Sequence, residues 1–128
     1  VLGGERAHVL GYVNDVWAWM KRADVLISPS HFEGHPNVIL EAIACGCPLV
    51  ISDIPAHRSL LSEADALFVP TTNIEAWVAQ IRSALDEPAA SRARAEHAKS
   101  IALKFSPAVM AEAYDCVYRE IIYARKTR

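Results

Sequence analysis

Residues 25–52, VLISPSHFEGHPNVILEAIACGCPLVIS, carry the clearest structural signal in this chain. Two short apolar runs, 25–27 and 48–52, are bounded by turn-forming residues. Such runs are typical of strands that are buried in a parallel sheet. The segment therefore predicts two parallel strands and a connection between them.

The connection has the marks of a helix at both ends. Pro36 suits the first helical position, where its missing N–H costs nothing. Gly46 suits the position just after a helix, where the backbone often turns left-handed. We therefore expect a helix that begins at Pro36 and ends at Ala44 or Cys45.

Strand and helix signals alternate along the rest of the chain. Further strands are predicted at 7–10 and 66–69, and further helices from Asn14 or Asp15 to Arg22, at 56–61 and at 90–103. A capping box of Thr72 and Glu75 predicts the start of another helix, which reaches Leu85. The last predicted helix starts at Ser106 and Pro107. This alternation predicts an α/β fold with a parallel sheet covered by helices. Ligands of such sheets bind beyond the carboxyl ends of the strands, which here lead into 28–33 and 52–58.

Composition limits the function. The chain has 128 residues, 52% of them hydrophobic, which fits one globular domain or a large part of one. A net charge of −2 with scattered basic residues argues against a nucleic-acid partner. The basic end, 125–128, is interpreted as a solvated helix terminus, and weak contact with anionic lipid stays open. No apolar run has transmembrane length, and no signal peptide is recognisable.

The three cysteines are Cys45, Cys47 and Cys116. An odd number in a chain that is not rich in cysteine favours reduced thiols and a cytosolic setting. No second pair completes a metal site with Cys45 and Cys47, so they are interpreted as small apolar residues at a helix end, and no metal site is predicted.

Glu33 and Glu41 lie eight positions apart around the predicted helix start. A helix N-terminus has free N–H groups and attracts anions, and Gly34 lets the backbone approach a ligand closely. Two carboxylates beside it could accept hydrogen bonds from sugar hydroxyls. By spacing alone this is a weak signal, since a glutamate near a helix start is commonly only a favourable charge. His31, Phe32 and His35 are more often loop or packing residues than functional ones.

The whole string is far more specific. The pattern FEGxPNxxLEAxACGxPLV over 32–50 resembles the signature of retaining GT-B glycosyltransferases, family 4 in particular. The likeness extends upstream through Gly11-Tyr12-Val13 and downstream through Ser52-Asp53-Ile54-Pro55 to the closing helices. The resemblance implies a Rossmann-like sheet. It also implies that 1–128 is the later part of the C-terminal, nucleotide-sugar-binding domain, with closing helices at about 106–124 and without the N-terminal acceptor domain.

The resemblance also implies roles for individual residues. Glu33 is the expected catalytic residue, which contacts hydroxyls of the donor sugar, and Glu41 is expected to hold the ribose. Backbone N–H groups of the loop would meet the diphosphate, and the base pocket would form just after the first predicted strand. The substrate-binding residues implied in this way are Gly34, His35, Asn37, Val38, Glu41, Tyr12 and Val13.

The implied reaction moves a hexosyl or N-acetylhexosaminyl group from a nucleotide-sugar to a glycan or lipid-linked acceptor, with retention and with no cofactor or tightly bound metal. Pro36 and Asn37 after Glu33 and Gly34 resemble members that build bacterial surface polysaccharide, which favours UDP-sugars. The expected location is cytoplasmic, with possible peripheral contact at the inner face of the membrane.

The family's basic Arg/Lys pair comes before the first strand seen here, so the isolated chain is expected to be inactive. Arg58 could meet a phosphate, although a surface arginine is the more common case.

Two alternatives stay open. One is a sugar-nucleotide epimerase or phosphorylase of the same fold. The other is a non-catalytic nucleotide-binding or pairing module, for which Trp17, Trp19 and the apolar stripe of the last helix would supply an exposed surface.

Overall fold

The computed structural model of the protein describes residues 7–126, with side chains up to residue 124. In chain order the elements are α1 (Val16–Arg22), β1 (Leu26–Ser28), α2 (Asn37–Ala44), β2 (Leu49–Ser52), α3 (Pro55–Arg58), β3 (Leu67–Val69), α4 (Ile74–Asp86), α5 (Pro88–Leu103) and α6 (Pro107–Lys126). The strands form one sheet in the order β1-β2-β3.

The sheet is parallel, and β2 is its central strand. Ile51 of β2 lies beside Ser28 of β1 on one side and Phe68 of β3 on the other. All of β2 is buried, as expected for a strand with covered faces, and for this reason its sequence is almost continuously apolar. The predicted α/β fold, with a parallel sheet and flanking helices, is confirmed.

Helices cover both faces because alternate residues of β2 point in opposite directions. Leu49 and Ile51 join a core with α1, α2 and α5, whereas Val50 packs with Trp77 and Ala84 of α4. The fully buried apolar side chains of the first core are Ile39, Ala42, Ile43, Ile51 and Ala98. Burial of each isoleucine contributes roughly 1.5–3 kcal/mol to folding.

The end of α2 is fixed by a left-handed glycine. Gly46 has φ +71°, its N–H donates to the Ile43 carbonyl, and the Cys47 N–H donates to the Ala42 carbonyl. These are the two bonds of a Schellman cap. A Cβ at Gly46 would lie 3.1 Å from Cε of Lys99 on α5, so the cap also sits against a neighbouring helix. The predicted helix stop at Gly46 is confirmed.

The predicted strand at 7–10 is wrong. These residues form no regular element, and Val9 and Leu10 are exposed. A strand needs a neighbour to complete its hydrogen bonds, and none of the three described strands pairs with this segment.

Two predicted helix starts shift in the structure. Pro36 precedes α2 as its N-cap, so the helix begins one residue later than predicted. The proposed capping box of Thr72 and Glu75 is wrong, because Oδ1 of Asn73 accepts the hydrogen bond from the Ala76 N–H at 2.9 Å.

The last helix, α6, has 20 residues and begins after Ser106, whose hydroxyl accepts from the Val109 N–H. Each of its side chains that the structure describes is exposed. Its predicted apolar stripe consists of Met110, Ala113, Tyr114, Val117, Tyr118, Ile121 and Ile122, and the side chains of the basic end, 125–128, lie outside the described part. The expected exposure of Trp17, Trp19 and this stripe is confirmed. Among the described residues no helix combines the length and apolarity needed to cross a bilayer.

Candidate functional site

The candidate site lies where β1 and β2 end at the same edge of the sheet. Ser28 is the last residue of β1 and Ser52 the last residue of β2. The loop after β1 leads into α2, and the shorter turn after β2 leads into α3. The predicted placement of 28–33 and 52–58 at carboxyl ends of strands is therefore confirmed.

Glu33 is partly buried and is held by one hydroxyl. Ser30 donates from Oγ to Oε1 of Glu33 over 2.6 Å, which is a short, charge-assisted bond. Oγ of Ser30 lies 3.4 Å from Oγ of Ser28. The second carboxylate oxygen, Oε2, makes no hydrogen bond to the residues that the structure describes, so it is available to a ligand.

Within the described part of the chain, the first turn of α2 keeps one backbone donor free. The N–H groups of Ile39 and Leu40 both reach the Pro36 carbonyl, and the Asn37 N–H donates to the His35 carbonyl at 2.9 Å. The N–H of Val38 has no acceptor within the described part of the chain. Such groups, together with the helix dipole, favour an anion. Of the predicted diphosphate donors, Asn37 is thus already occupied and Val38 is free.

Glu41 lies one turn further along α2. Its side chain is partly buried, and its carboxylate has no hydrogen-bond partner among residues 7–124. An acceptor group with two unused oxygens suits a pair of neighbouring hydroxyls. The predicted helical position of Glu41 is confirmed, and its role stays a prediction.

His35 is exposed and contacts the turn that follows α5. Its Nδ1 lies 2.9 Å from Oδ1 of Asn37, and its ring meets the ring of Phe105 edge-on with 5.9 Å between centroids. Gly34 is exposed, and a Cβ there would have open space around it. Phe32 is 85% exposed, so the packing interpretation of its ring is wrong.

Tyr12 and Val13 lie in the irregular segment before α1. The Tyr12 ring is 92% exposed, whereas Val13 is partly buried. The predicted strand that was to present them is missing, so their part in a base pocket stays a prediction.

Arg58 is engaged by carboxylates rather than left for a phosphate. It donates from Nε and Nη2 to the two oxygens of Asp53, at 2.7 and 3.0 Å, and from Nη1 to Glu63. Its guanidinium lies 3.7 Å above the ring of Phe68. These hydrogen bonds raise the pKa of Arg58 and hold the pKa of Asp53 and of Glu63 below their usual values. The geometry supports the surface-arginine interpretation.

Sequence reasoning missed a set of buried polar groups behind the loop. Oγ of Ser52 donates to the Ser28 carbonyl at 3.2 Å. Nδ1 of His57 lies 2.8 Å from the Ser52 carbonyl and must carry the proton there, because a carbonyl only accepts. Nε2 of His57 is buried and has no hydrogen-bond partner among the residues that the structure describes. His57 lies within α3, five residues after the end of β2, and no local sequence pattern marks it as buried.

In the described part of the chain the cysteines form neither a disulfide nor a metal-binding cluster. The thiols of Cys45, Cys47 and Cys116 are free, and burial raises the pKa of Cys47 to about 11. Within the described range no three His, Cys, Asp or Glu side chains come together as metal ligands.

Comparison with known proteins identifies the class. The family model of glycosyl transferases group 1 matches residues 2–101, and the chain therefore belongs to this family. The expected membership in the GT-B glycosyltransferases is confirmed.

Individual relatives make the comparison more specific. The chain is 30% identical to the N,N'-diacetylbacillosaminyl-diphospho-undecaprenol alpha-1,3-N-acetylgalactosaminyltransferase of Campylobacter jejuni, over 94% of this chain and 32% of that protein. It is 33% identical to the UDP-Gal:alpha-D-GlcNAc-diphosphoundecaprenol alpha-1,3-galactosyltransferase of Escherichia coli, over 58% of this chain and 19% of that protein.

The structure of sucrose-phosphate synthase from Thermosynechococcus elongatus superposes with a TM-score of 0.85 and 25% identity, over 94% of this chain and 31% of that one. The chain thus spans about a third or less of these relatives.

Proposed function

We propose that this chain is the donor-binding part of a retaining glycosyltransferase that moves a hexosyl or N-acetylhexosaminyl group from a nucleotide-sugar to a glycan or lipid-linked acceptor. A UDP-sugar is the favoured donor. The names of the Campylobacter and Escherichia relatives support a diphospho-undecaprenol type of acceptor, and the latter name includes UDP-Gal.

One observation carries the proposal. Two carboxylates with unused oxygens, Glu33 and Glu41, flank the N-terminus of α2 at the carboxyl edge of a parallel sheet. In the proposed complex the diphosphate lies over the Val38 N–H, Glu33 accepts from hydroxyls of the donor sugar, and Glu41 accepts from the ribose hydroxyls. The remaining substrate contacts proposed above, at Gly34, His35, Asn37, Tyr12 and Val13, belong to the same complex.

In the proposed mechanism the acceptor attacks from the face that the diphosphate leaves. The departing diphosphate then takes the acceptor proton, and no metal or other cofactor is part of the proposal. Glu33 orients the sugar and is not a nucleophile, which is consistent with the engagement of its Oε1 by Ser30. Most of the rate enhancement then comes from orientation and from stabilisation of the leaving group.

The charges of the chain explain why it would need a larger protein for turnover. A helix N-terminus stabilises an anion by only about 0.3–1 kcal/mol, or about 2 kcal/mol when partly buried. Arg58, the cation after β2, is already bonded to Asp53 and Glu63. A doubly charged leaving group requires further positive charge, and we propose that basic residues outside this chain supply it. The isolated chain would therefore bind donor weakly and be inactive.

The exposed apolar surfaces of α1 and α6 support a further part of the proposal. Residues 1–128 would form the later part of the C-terminal domain, and these surfaces would pack against an N-terminal domain that binds the acceptor. We propose a cytoplasmic enzyme of polysaccharide biosynthesis with peripheral contact to the membrane. A non-catalytic pairing module is the second candidate, since the same surfaces could bind another protein.

Product analysis tests the proposed function. The protein that carries this chain is incubated with radiolabelled UDP-sugars and a lipid-linked acceptor, with GDP- and ADP-sugars as comparison. Transfer of label with retained anomeric configuration is expected. Isomerised donor would instead indicate an epimerase, and complete absence of nucleotide-sugar binding would favour the pairing module.

A further inference from the structure

We propose that Ser30 is a positioning residue for Glu33 and that the buried ends of β1 and β2 hold Ser30 in place. The inference rests on the proposed function of Glu33 as the group that orients the donor sugar. It adds residues that the motif alone does not single out.

The directions of the hydrogen bonds lead from the carboxylate back into the sheet. An ionised carboxylate only accepts, so the Ser30 hydroxyl must give its proton to Oε1 of Glu33. Any bond between Ser30 and Ser28 therefore has Ser28 as the donor, at 3.4 Å. This contact is the longest of the set, whereas the 2.6 Å bond from Ser30 to Glu33 is the shortest.

The groups that hydrogen-bond to the backbone of Ser28 and behind it are buried. The Ser28 carbonyl accepts from the Ser52 hydroxyl, and the Ser52 carbonyl accepts from Nδ1 of His57. Ser52 and His57 have no exposed surface. Polar groups inside a protein are costly unless they are hydrogen-bonded. Here the bond from Ser52 joins the ends of β1 and β2 beyond the sheet ladder, and the bond from His57 joins α3 to the end of β2.

The consequence concerns the second oxygen of Glu33. A glutamate side chain has three rotatable bonds, and a partly exposed one samples many positions. The bond from Ser30 fixes the position of Oε1. Because the carboxylate group is planar, this also restricts the position of Oε2, which can accept a hydrogen bond from a sugar hydroxyl. Because misplacement of a reacting group by even about 1 Å reduces rate strongly, loss of this bond affects turnover more than donor affinity.

The test uses the protein that carries this chain, with the variants Ser30→Ala and Ser30→Thr. Ser30→Ala is expected to lower kcat about tenfold, to change KM for the nucleotide-sugar by less than about threefold and to leave Tm unchanged. Ser30→Thr keeps the hydroxyl and is expected to restore kcat. The matched control is Ser100→Ala, which removes an exposed serine whose hydroxyl bonds the His97 carbonyl on α5 and is expected to change neither quantity.

A double-mutant comparison separates positioning from a general structural effect. In a Glu33→Ala background, Ser30→Ala should have no further effect on kcat, because the group that it positions is gone. An undiminished effect in that background would overturn the inference. So would wild-type kcat in Ser30→Ala while Glu33→Ala lowers kcat.

A crystal structure of the Ser30→Ala variant gives a result that does not depend on activity. We expect the Glu33 carboxylate to move away from its wild-type position, and an unmoved carboxylate would contradict the inference. Failure of the proposed function would give a different result, because the wild-type protein would then transfer no sugar from any nucleotide-sugar offered.

Discussion

Helices α2 and α6 both have a proline at their start, Pro36 as the N-cap of α2 and Pro107 as the first residue of α6, and both carry apolar residues at helical spacing. Their surroundings are nevertheless opposite. Ile39, Ala42 and Ile43 of α2 are fully buried between the sheet and its neighbours. Ile121 and Ile122 of α6 are about half exposed, like the rest of that helix. The spacing of apolar residues predicts that each helix forms. How much the helix contributes to the stability of the fold depends on the surface against which it packs. The candidate site lies on the helix that the core holds rigid.

Truncation of the core face should have the largest effect. Ile43→Ala leaves a cavity under α2, and we expect it to lower the free energy of unfolding by about 2–5 kcal/mol. In the isolated chain, where no N-terminal domain covers α6, the matched change Ile121→Ala should stay within about 0.5 kcal/mol of wild type. Urea denaturation of both variants measures this difference. Equal losses would mean that α6 packs against the core in solution.

A substitution on the ligand-facing side of α2 should change donor binding rather than the stability of the fold. Glu41→Ala removes the acceptor proposed for the ribose hydroxyls, and we expect it to weaken nucleotide-sugar binding about tenfold in the protein that carries this chain. Thermal stability should not change, because the Glu41 carboxylate bonds no described residue. Calorimetric titration of Glu41→Ala and of the control Arg58→Ala tests this. Loss of affinity in Arg58→Ala with unchanged affinity in Glu41→Ala would contradict the assignment.

A substitution in the glycine cap at the C-terminal end of α2 should lower stability by a smaller amount, for reasons of backbone conformation. Gly46→Ala places a side chain at φ +71° and within 3.1 Å of Lys99, so we expect a loss of about 1 kcal/mol or somewhat more. The control Gly34→Ala adds a methyl group in open space, without left-handed backbone, and should be close to neutral. Denaturation midpoints that rank the two variants the other way would show that the cap is unimportant.

Acid should weaken the contact between α5 and the loop before β3. Burial disfavours the ionised form of Asp65, but hydrogen bonds from Ser62 and His97 outweigh it and hold the pKa of Asp65 below its ordinary value. A lowered folded-state pKa gives stability that is fully present above the unfolded-state value of about 3.9. That stability disappears as pH falls through the folded-state pKa.

The Asp65→Asn variant provides the control for this pH effect. Its free energy of unfolding should change less with pH below about 4 than that of the wild type, because the titrating group is missing. Parallel denaturation curves at several acidic pH values measure the difference. Identical pH dependence in both proteins would show that Asp65 contributes nothing to acid sensitivity.

Much of the fold could be predicted because its signals are local. The apolar run of β2 and the glycine after α2 need no knowledge of distant residues. The strand predicted at 7–10 failed because a strand depends on a neighbour that sequence periodicity does not reveal. The capping box failed for a smaller reason, since Asn73 competes with Thr72 for the same helix start and lies closer to it.

The candidate site, like the fold, could be predicted only in part from the sequence. The positions of Glu33 and Glu41 around the start of α2 could be predicted, because Pro36 and Gly46 mark the two ends of this helix. The support from Ser30, Ser28 and Ser52 could not, since serines at strand ends are common and only the three-dimensional arrangement joins them. The burial of His57 likewise depends on packing that no local pattern encodes.

The central claim is that the N-terminus of α2 receives the diphosphate of a nucleotide-sugar. A crystal structure of the protein that carries this chain, determined with bound donor, tests it most directly. We expect a diphosphate oxygen at about 3 Å from the Val38 nitrogen, with Glu33 and Glu41 against the sugar and ribose hydroxyls. A donor bound elsewhere, with this helix end empty, would contradict the account.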